Sequence, residues 1–251
     1  MKKEKFSIVY EDEFILGVNK ASGVAVGGDR WDDAKERLDR LLRETHGNLF
    51  TVHRIDCATS GLVVFAKDAD AHRRLCHAFE NRLVKKRYLA VVQGRPVWRE
   101  TSCDLPLVLD GDKQHRTIID RYQGKKSLTR FRLLGTAGNY ALLEALPETG
   151  RTHQIRAHLA ALGHPVVCDP LYGTLKPVML SSFKRGWRGD PLEERPLIAR
   201  LGLHAAELLF PDRTLTAPTP RDIAAFIKQM EKLADRTASS VSGPVQGADS
   251  M

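Results

Sequence analysis

Four short β-prone segments follow one another between Leu105 and Leu146: LPLVL, RTIID, SLTRFRLL and YALLEAL. Turn residues such as Asp110-Gly111 separate them, and no helical pattern lies between them. Tight turns join antiparallel strands, whereas parallel strands need a long crossover connection. The sequence therefore predicts an α+β fold with a mixed, mainly antiparallel β-sheet core and flanking helices.

The rest of the chain supplies further strands and the helices that would cover this sheet. β-rich runs predict a hairpin over 6–20 and strands over 85–94 and 203–210. Apolar residues recurring at three- and four-residue intervals predict helices over 31–45, 151–163 and 221–234, and another after Asp68 as N-cap. Residues 175–200 are basic, irregular and contain proline, and their role is open.

The overall charge points to an anionic partner. Lys and Arg number 39 against 31 Asp and Glu, a net charge of +8, which favours nucleic acid. The four cysteines form no C-x-x-C pair. The N-terminus lacks the apolar core of a signal peptide, and no apolar run approaches the ~20 residues of a membrane span. We expect a reduced, cytoplasmic protein with no membrane partner.

The sequence HRIDCATSG, residues 53–61, interrupts two apolar, β-prone runs. We expect a turn at Thr59-Ser60-Gly61, because hydroxyl side chains bond the local backbone and glycine adopts positive φ without strain. Such a turn would fix Arg54 and Asp56, and a fixed carboxylate suits nucleophilic or acid–base chemistry. The structural alternative is that Asp56 caps its own loop while Arg54 is solvated.

A second polar cluster comprises Arg151, His153, Arg156 and His158, at the start of a predicted helix. The two histidines are five residues apart, about 140° around a helix. They cannot share a metal as an i, i+4 pair does, so we expect no metal site. Guanidinium groups at a helix start suit phosphate or carboxylate binding, with a solvated polar face as the alternative.

A third cluster places basic residues directly before an aromatic one. Arg82, Lys85, Lys86 and Arg87 precede Tyr88 in RLVKKRYLAVV. Cations for phosphates and a ring for a base form a minimal nucleic-acid signature. An exposed basic turn followed by a core tyrosine would give the same pattern.

Together these motifs resemble the RluA-type family of RNA pseudouridine synthases. HRIDCATSG resembles the active-site motif of that family, and GRTHQIRAHLAALGHPVVCDPLYG resembles a second hallmark. The stretches IVYEDEFILGVNKASGVAV, KRYLAVVQG, KKSLTRF and LHAAELLF match in the same order. The resemblance covers roughly residues 6–220, and two long motifs about a hundred residues apart make it highly specific.

The resemblance implies an isomerase that detaches uracil from C1′ of its ribose, rotates it and rejoins it through C5, after the base leaves the helical stack. It implies that Asp56 is the catalytic carboxylate, acting on either ribose or base, with Arg156 as its partner. Arg54, on the same face of an extended strand as Asp56, would fill the gap left by the flipped nucleotide. Tyr88 would stack on the uracil, and Ile155 would form an apolar wall.

The other predicted site residues shape the loop or hold RNA. Thr59 and His53 would shape the loop, whereas the RNA contacts would come from Arg151, His153, Lys86 and Arg87. A redox-neutral isomerisation needs extrusion, positioning and electrostatics, so we expect neither a cofactor nor a metal. The expected partner is a stem-loop of ribosomal RNA, transfer RNA or both, bound by a monomer.

For domain organisation, we expect one catalytic domain over 1–236 with a basic active-site cleft, and a disordered tail over 237–251. We expect no S4-type RNA-binding domain, which some relatives carry. Two rival functions stay open from the residues alone. One is a non-catalytic RNA-binding protein that has kept the fold, and the other is a hydrolase using Asp56 with His153 or His158.

Overall fold

The computed structural model describes residues 4–28, 36–184 and 186–241, with side chains described up to residue 235. Within these ranges the chain forms twelve strands and four helices. The strands are β1 (Phe6–Glu11), β2 (Ile15–Lys20), β3 (Phe50–Thr51), β4 (Ser60–Ala66), β5 (Lys85–Gln93), β6 (Glu100–Cys103), β7 (Leu107–Val108), β8 (Ile118–Ile119), β9 (Thr129–Ala137), β10 (Tyr140–Pro147), β11 (Leu203–Leu209) and β12 (Thr214–Thr216). The helices are α1 (Leu38–His46), α2 (Ala69–Glu80), α3 (Gln154–Ala161) and α4 (Arg221–Val241).

Ten of these strands form one sheet in the order β1-β2-β4-β11-β5-β10-β9-β6, with β3 added to β4 and β12 added to β11. Strands β4 and β11 pair in parallel, and the other pairs in the sheet are antiparallel. Strands β7 and β8 form a separate two-stranded ribbon. The predicted α+β fold with a mixed, mainly antiparallel sheet is therefore confirmed.

The parallel contact between β4 and β11 depends on Gly61. A Cβ at Gly61 would lie 2.1 Å from the carbonyl oxygen of Ala205, and the residue has a φ of +118°. Only glycine combines that backbone angle with so close an approach. This contact brings the loop before β4 next to the start of β11.

Helices cover both faces of the sheet. Successive residues of a strand point to opposite faces, so Leu89 and Val91 of β5 enter the core beneath α4, while Ala90 and Val92 enter the core beneath α3. Helix α4 buries Ile223, Phe226 and Met230, and α3 buries Ile155 and Leu159. Each large apolar side chain buried in this way contributes about 1.5–3 kcal/mol.

Helices α1 and α2 cover the two faces of the sheet at the end that contains β2 and β4. Leu38 and Leu42 of α1 pack with one face of β2 and β4, and Leu75 and Phe79 of α2 pack with the other. Asp68 caps α2 as predicted, because its side chain accepts a hydrogen bond from the backbone N–H of Ala71. No helix in the described part of the chain is long and apolar enough to cross a membrane.

Several element boundaries differ from the predicted ones. Helix α1 begins at Leu38, and residues 29–35 of the predicted 31–45 helix lie outside the described residues. Helix α4 continues to Val241, past the predicted end at residue 234 and five residues into the predicted tail. Residues 242–251 of that tail are not described. The strand predicted over 50–56 is reduced to the two residues of β3, and the short strands β6 and β12 were not predicted.

Helix α3 begins at Gln154, three residues later than predicted. The Gln154 side chain accepts hydrogen bonds from the Thr149 hydroxyl at 2.7 Å and the Arg151 backbone N–H at 3.1 Å. His153 is the N-cap, with a left-handed φ of 52°. These contacts hold 149–153 as a loop, so Arg151 and His153 precede the helix.

Candidate active site

A cavity of about 550 Å³ lies between the loop before β4, the end of α2, the start of β5 and the loop that joins β10 to α3. Five cationic side chains line it, namely Arg54, Arg82, Lys86, Arg151 and Arg156. Its acidic residues are Asp56, Glu80 and Glu148. The excess of cations gives the basic cleft that the sequence predicted, in a volume typical of ligand sites.

The turn beside Asp56 begins two residues earlier than predicted. It is formed at Cys57 and Ala58, and the backbone N–H of Thr59 donates to the Asp56 carbonyl at 3.0 Å. Ser60 and Gly61 already belong to β4, where Ser60 bonds His204 of the adjacent β11. Pairing with β11 therefore draws these two residues into the sheet.

The last residue of β2 and the residues that follow it hold this turn in place. The Nζ atom of Lys20 donates to the carbonyls of Ala21, Val24 and Cys57 at 2.7–3.0 Å. The Ser22 hydroxyl donates to the Ala58 carbonyl at 2.6 Å. Lys20 is completely buried, and burial lowers its pKa to about 8. A buried cation thus holds the backbone directly after Asp56.

His53 fixes the other half of the loop. Its Nε2 accepts a hydrogen bond from the backbone N–H of Val64 at 3.0 Å, and its ring stacks on Phe79 with centroids 4.6 Å apart. Burial, aided by the nearby Lys86 charge, lowers the His53 pKa to about 3. The ring is therefore neutral and acts as an acceptor, which ties the loop to β4 and α2.

The Asp56 carboxylate meets Arg156 inside the cavity. Nη1 of Arg156 donates to Oδ2 of Asp56 at 3.2 Å. The other edge of the same guanidinium donates twice to Asp169, with both distances 2.8 Å. Asp169 is fully buried, whereas the Asp56 side chain keeps 22% of its exposure. The buried pair fixes the guanidinium, and the guanidinium orients a carboxylate that a substrate can reach.

Tyr172 and His153 close this cluster from the side. The guanidinium of Arg156 lies 5.1 Å from the Tyr172 ring centroid. His153 Nδ1 lies 3.1 Å from the Tyr172 hydroxyl, and its Nε2 lies 4.0 Å from Asp56 Oδ2. Burial outweighs the Asp56 charge and lowers the pKa of His153, so the ring is neutral at pH 7.

Tyr88 and Ile155 give the cavity an aromatic and an apolar surface. Both line it together with Asp56 and Leu203. Burial, and then the Asp56 charge, raises the pKa of the Tyr88 phenol well above its ordinary value. The phenol therefore keeps its proton at neutral pH near the Asp56 carboxylate.

These surfaces and charges suit a planar base attached to an anionic backbone, and the sequence comparisons agree. Residues 15–161 match the family model described as RNA pseudouridylate synthase. That match covers more than half of the chain and includes the Asp56 loop, Tyr88 and Arg156. The chain belongs to the RNA pseudouridylate synthase family. It is an isomerase that acts on RNA.

Individual relatives place this synthase in the RluA-type group. The dual-specificity RNA pseudouridine synthase RluA of Vibrio vulnificus is 35% identical over 208 residues, which cover 81% of this chain and 76% of the relative. The ribosomal large subunit pseudouridine synthase D of Zymomonas mobilis is 36% identical over 213 residues, covering 81% and 64%. The solved human RNA pseudouridylate synthase domain containing 1 shares 30% identity and a TM-score of 0.66, covering 86% and 83%.

Most of the predicted site residues of the synthase come together at the cavity. Arg54, which is exposed, and Thr59, which is buried, both line its wall. The remaining lining residues among those predicted are Asp56, Lys86, Tyr88, Arg151, His153, Ile155 and Arg156. His158 does not line it, because its ring is buried against Thr129, Ser127 and the Leu105 carbonyl. A hydrolase that pairs Asp56 with His158 is therefore contradicted.

Arg87 is the predicted RNA contact that the structure does not bring to the cavity. Neighbouring side chains of β5 point to opposite faces, so Lys86 and Tyr88 face the cavity while Arg87 faces away. Arg87 instead donates to Glu144 at 2.6 Å and Glu207 at 2.8 Å, on strands β10 and β11. The structure therefore places Arg87 outside the cavity, and its contact with RNA stays a prediction.

Three residues that support the site were not singled out from the sequence. Lys20, Asp169 and Tyr172 each contact a residue distant in the chain. Asp169 and Tyr172 lie within the second motif, CDPLYG, so an acidic residue between apolar VVC and proline was the available signal. Lys20 carried no signal, because lysine at the end of a strand is normally solvated.

Proposed function

We propose that this synthase isomerises specific uridines in structured ribosomal RNA, transfer RNA or both, with Asp56 as the catalytic carboxylate. The observation that carries the proposal is the Asp56 carboxylate, 3.2 Å from a fixed guanidinium in a basic cavity that Tyr88 and Ile155 also line. Two relatives, a dual-specificity RNA pseudouridine synthase and a ribosomal large subunit pseudouridine synthase, support these substrate classes.

The reaction breaks the C1′–N1 bond and forms a C1′–C5 bond. The detached uracil rotates, C5 joins C1′, the hydrogen on C5 leaves as a proton, and N1, freed from C1′, gains a proton. No electrons are gained or lost, so positioning and charge suffice. Asp56 would act at C1′ of the ribose or on the base, and Arg156 would keep its carboxylate aimed at that position.

The remaining residues would hold the extruded nucleotide. Tyr88 would stack on the uracil and, with its proton retained, could donate a hydrogen bond to it. Ile155 would form an apolar wall against the base. Arg54 would occupy the space that the base leaves in the RNA, because it is exposed on the same loop as Asp56. Lys86, Arg151 and His153 would contact the backbone, and Thr59 would support the loop.

Pseudouridine mapping of total RNA tests this function. Cells that lack the protein should lose one or a few pseudouridines, and the wild-type gene should restore them. The Asp56→Asn gene should fail to restore them at equal protein level. Asp70→Asn, on the exposed face of α2 and outside the cavity, is the matched control and should restore them fully.

The same experiment separates the rival functions. A non-catalytic RNA-binding protein predicts that Asp56→Asn restores every effect of the wild-type gene. A hydrolase that pairs Asp56 with His153 predicts abasic sites and free uracil at the target instead of pseudouridine. Either result would overturn the proposal.

We further propose that the synthase acts in the cytoplasm as a monomer. The cavity is built from one chain, and the excess of positive charge suits an RNA partner. Sedimentation velocity with and without RNA checks the monomer, and a dimer formed before RNA binding would contradict it.

A further inference from the structure

A second cavity of about 400 Å³ adjoins the active-site cavity. The β7–β8 ribbon and the segment that follows it form one side, with Leu107, Val108, Leu109, Thr117, Gln123 and Lys125. The other side is formed by Gly150, Arg151 and Thr152, from the loop before α3. Gly150 and Arg151 line both cavities, so the two spaces are neighbours along one surface.

The walls of this second cavity combine apolar side chains with cations. Leu107 is buried and Leu109 is half exposed, which provides apolar surface. Lys125 and Arg151 are exposed, and the described residues of this lining include no acidic side chain. Among the described residues, the hydrogen bonds of the Arg151 guanidinium are two long ones of 3.4 Å, both to the Lys126 carbonyl. Its guanidinium is therefore available to an anion.

Thr117 adds an unpaired polar group to this lining. The residue is 1% exposed, and its hydroxyl lacks a hydrogen-bond partner within the described part of the chain. A buried hydroxyl that lacks a hydrogen-bond partner destabilises the folded protein, and a ligand that supplies a partner removes this cost. Its backbone is occupied, because the N–H and carbonyl of Thr117 both bond the Tyr172 hydroxyl at 2.9–3.0 Å.

We propose that this second cavity binds an unpaired nucleotide of the same RNA, next in the chain to the target uridine or close to it. The inference rests on the proposed function and deepens it. Apolar walls suit the faces of a base, while Lys125 and Arg151 suit its phosphate. Continuity with the active-site cavity through Gly150 and Arg151 favours a nucleotide of the substrate over a separate small anion.

The inference restricts the substrate class. Filling both cavities requires at least two unstacked nucleotides close together, which a loop or bulge supplies at low cost and a continuous duplex does not. A contact at Thr117 would also affect the active site, because the Tyr172 hydroxyl bonds both Thr117 and His153. The second nucleotide would thus help to position the cluster around Asp56.

The test measures RNA binding by fluorescence anisotropy with full-length protein carrying Asp56→Asn, which prevents turnover. The probe is an RNA stem-loop containing the mapped uridine, with single abasic replacements at each of the neighbouring positions. One replacement should weaken binding about tenfold, the loss expected for one stacked base. Adding Leu109→Trp, which fills the cavity, should reduce the effect of that same replacement to less than about twofold.

Two variants control this test. Leu192→Trp places the same side chain at an exposed leucine outside both cavities and should leave the tenfold effect intact. Lys125→Ala should lower the salt dependence of binding by about one phosphate contact, whereas Lys228→Ala, exposed on α4, should not. Because Leu109 and Lys125 are exposed, thermal unfolding should confirm that both variants fold.

Equal effects of every abasic replacement with and without Leu109→Trp would overturn the inference. That result is distinct from failure of the proposed function, in which the wild-type protein forms no pseudouridine in the same stem-loop. Pseudouridine formation without coupling between Leu109 and any nucleotide would reject the second site alone.

Discussion

The carboxylates of Asp56 and Asp169 share one guanidinium. Arg156 donates to Asp169 from Nε and Nη2, and to Asp56 from Nη1. The planar fork of arginine permits both contacts at once, which a lysine could not do with fixed directions. Asp169 therefore acts as a positioning residue, and Asp56 is the carboxylate left open to the cavity.

Replacing Asp169 should damage both stability and activity. Asp169→Asn leaves the buried Arg156 with a single carboxylate, and breaking a buried pair costs about 3 kcal/mol. We expect urea unfolding to show a loss of that size and kcat to fall more than about tenfold, because Arg156 is no longer fixed. Asp70→Asn, an exposed pair with Arg73, should change the free energy of unfolding by less than about 0.5 kcal/mol. An Asp169→Asn enzyme with full kcat would show that Arg156 needs no inner partner.

Replacing Lys20 should loosen the turn that carries Asp56. Lys20→Met removes a donor from three backbone carbonyls, of which each buried one left unpaired costs about 1–3 kcal/mol. We expect a lower free energy of unfolding and a lower kcat, with little change in KM, since no RNA contact is removed. Steady-state kinetics of Lys20→Met, with the exposed Lys228→Met on α4 as control, measure the changes in kcat and KM separately. A change in KM alone would contradict the positioning role.

Two histidines, the buried His204 and the half-buried His53, should make the folded state sensitive to acid. Burial lowers the pKa of His53 to about 3 and that of His204 to about 4, so both stay neutral where the unfolded chain takes up protons. Their contribution is complete above about pH 6.5 and is lost as the pH falls toward 4 and then 3. We expect the double variant His53→Gln/His204→Gln to lose less stability than wild type between pH 6.5 and 4. Urea unfolding across this range tests it, with the exposed His77→Gln as control. Parallel losses in all three proteins would argue against this origin.

Lys86 and Arg87 are adjacent, but we expect Lys86 to act in RNA binding and Arg87 in stability. Lys86 lines the cavity, so Lys86→Gln should lower the slope of log K against log salt by about one for RNA binding. Arg87 bonds Glu144 and Glu207, so Arg87→Gln should leave that slope unchanged and lower the free energy of unfolding by about 1–3 kcal/mol. The reverse pattern would mean that Arg87, rather than Lys86, faces the RNA.

Much of the fold follows from local sequence pattern. Consecutive β-prone segments at 105–146 predict antiparallel pairing, and Asp68 predicts the start of α2. The parallel pairing of β4 with β11 joins His204 to Ser60, and no local pattern indicates a contact over that separation. The start of α3 was misplaced because the side chain of Gln154 bonds the preceding loop, which competes with helix propensity.

The residues of the candidate site were likewise predicted only in part. Asp56 and Arg156 from the two long motifs, and Tyr88 from the third cluster, line one cavity as predicted. Arg87 was misplaced because a run of three basic residues, 85–87, hides the two-residue alternation of the strand that contains it. Lys20 and Asp169 escaped notice because their burial depends on distant partners, and charged residues are rarely buried without one.

Release of tritium tests the central claim most directly. When the synthase joins C5 to C1′, a tritium placed at C5 of the target uridine passes to water. We expect stoichiometric release with wild-type protein and Asp70→Asn, and release at background level with Asp56→Asn, which should still bind the same RNA within about threefold. Release by Asp56→Asn at the wild-type rate would contradict the account.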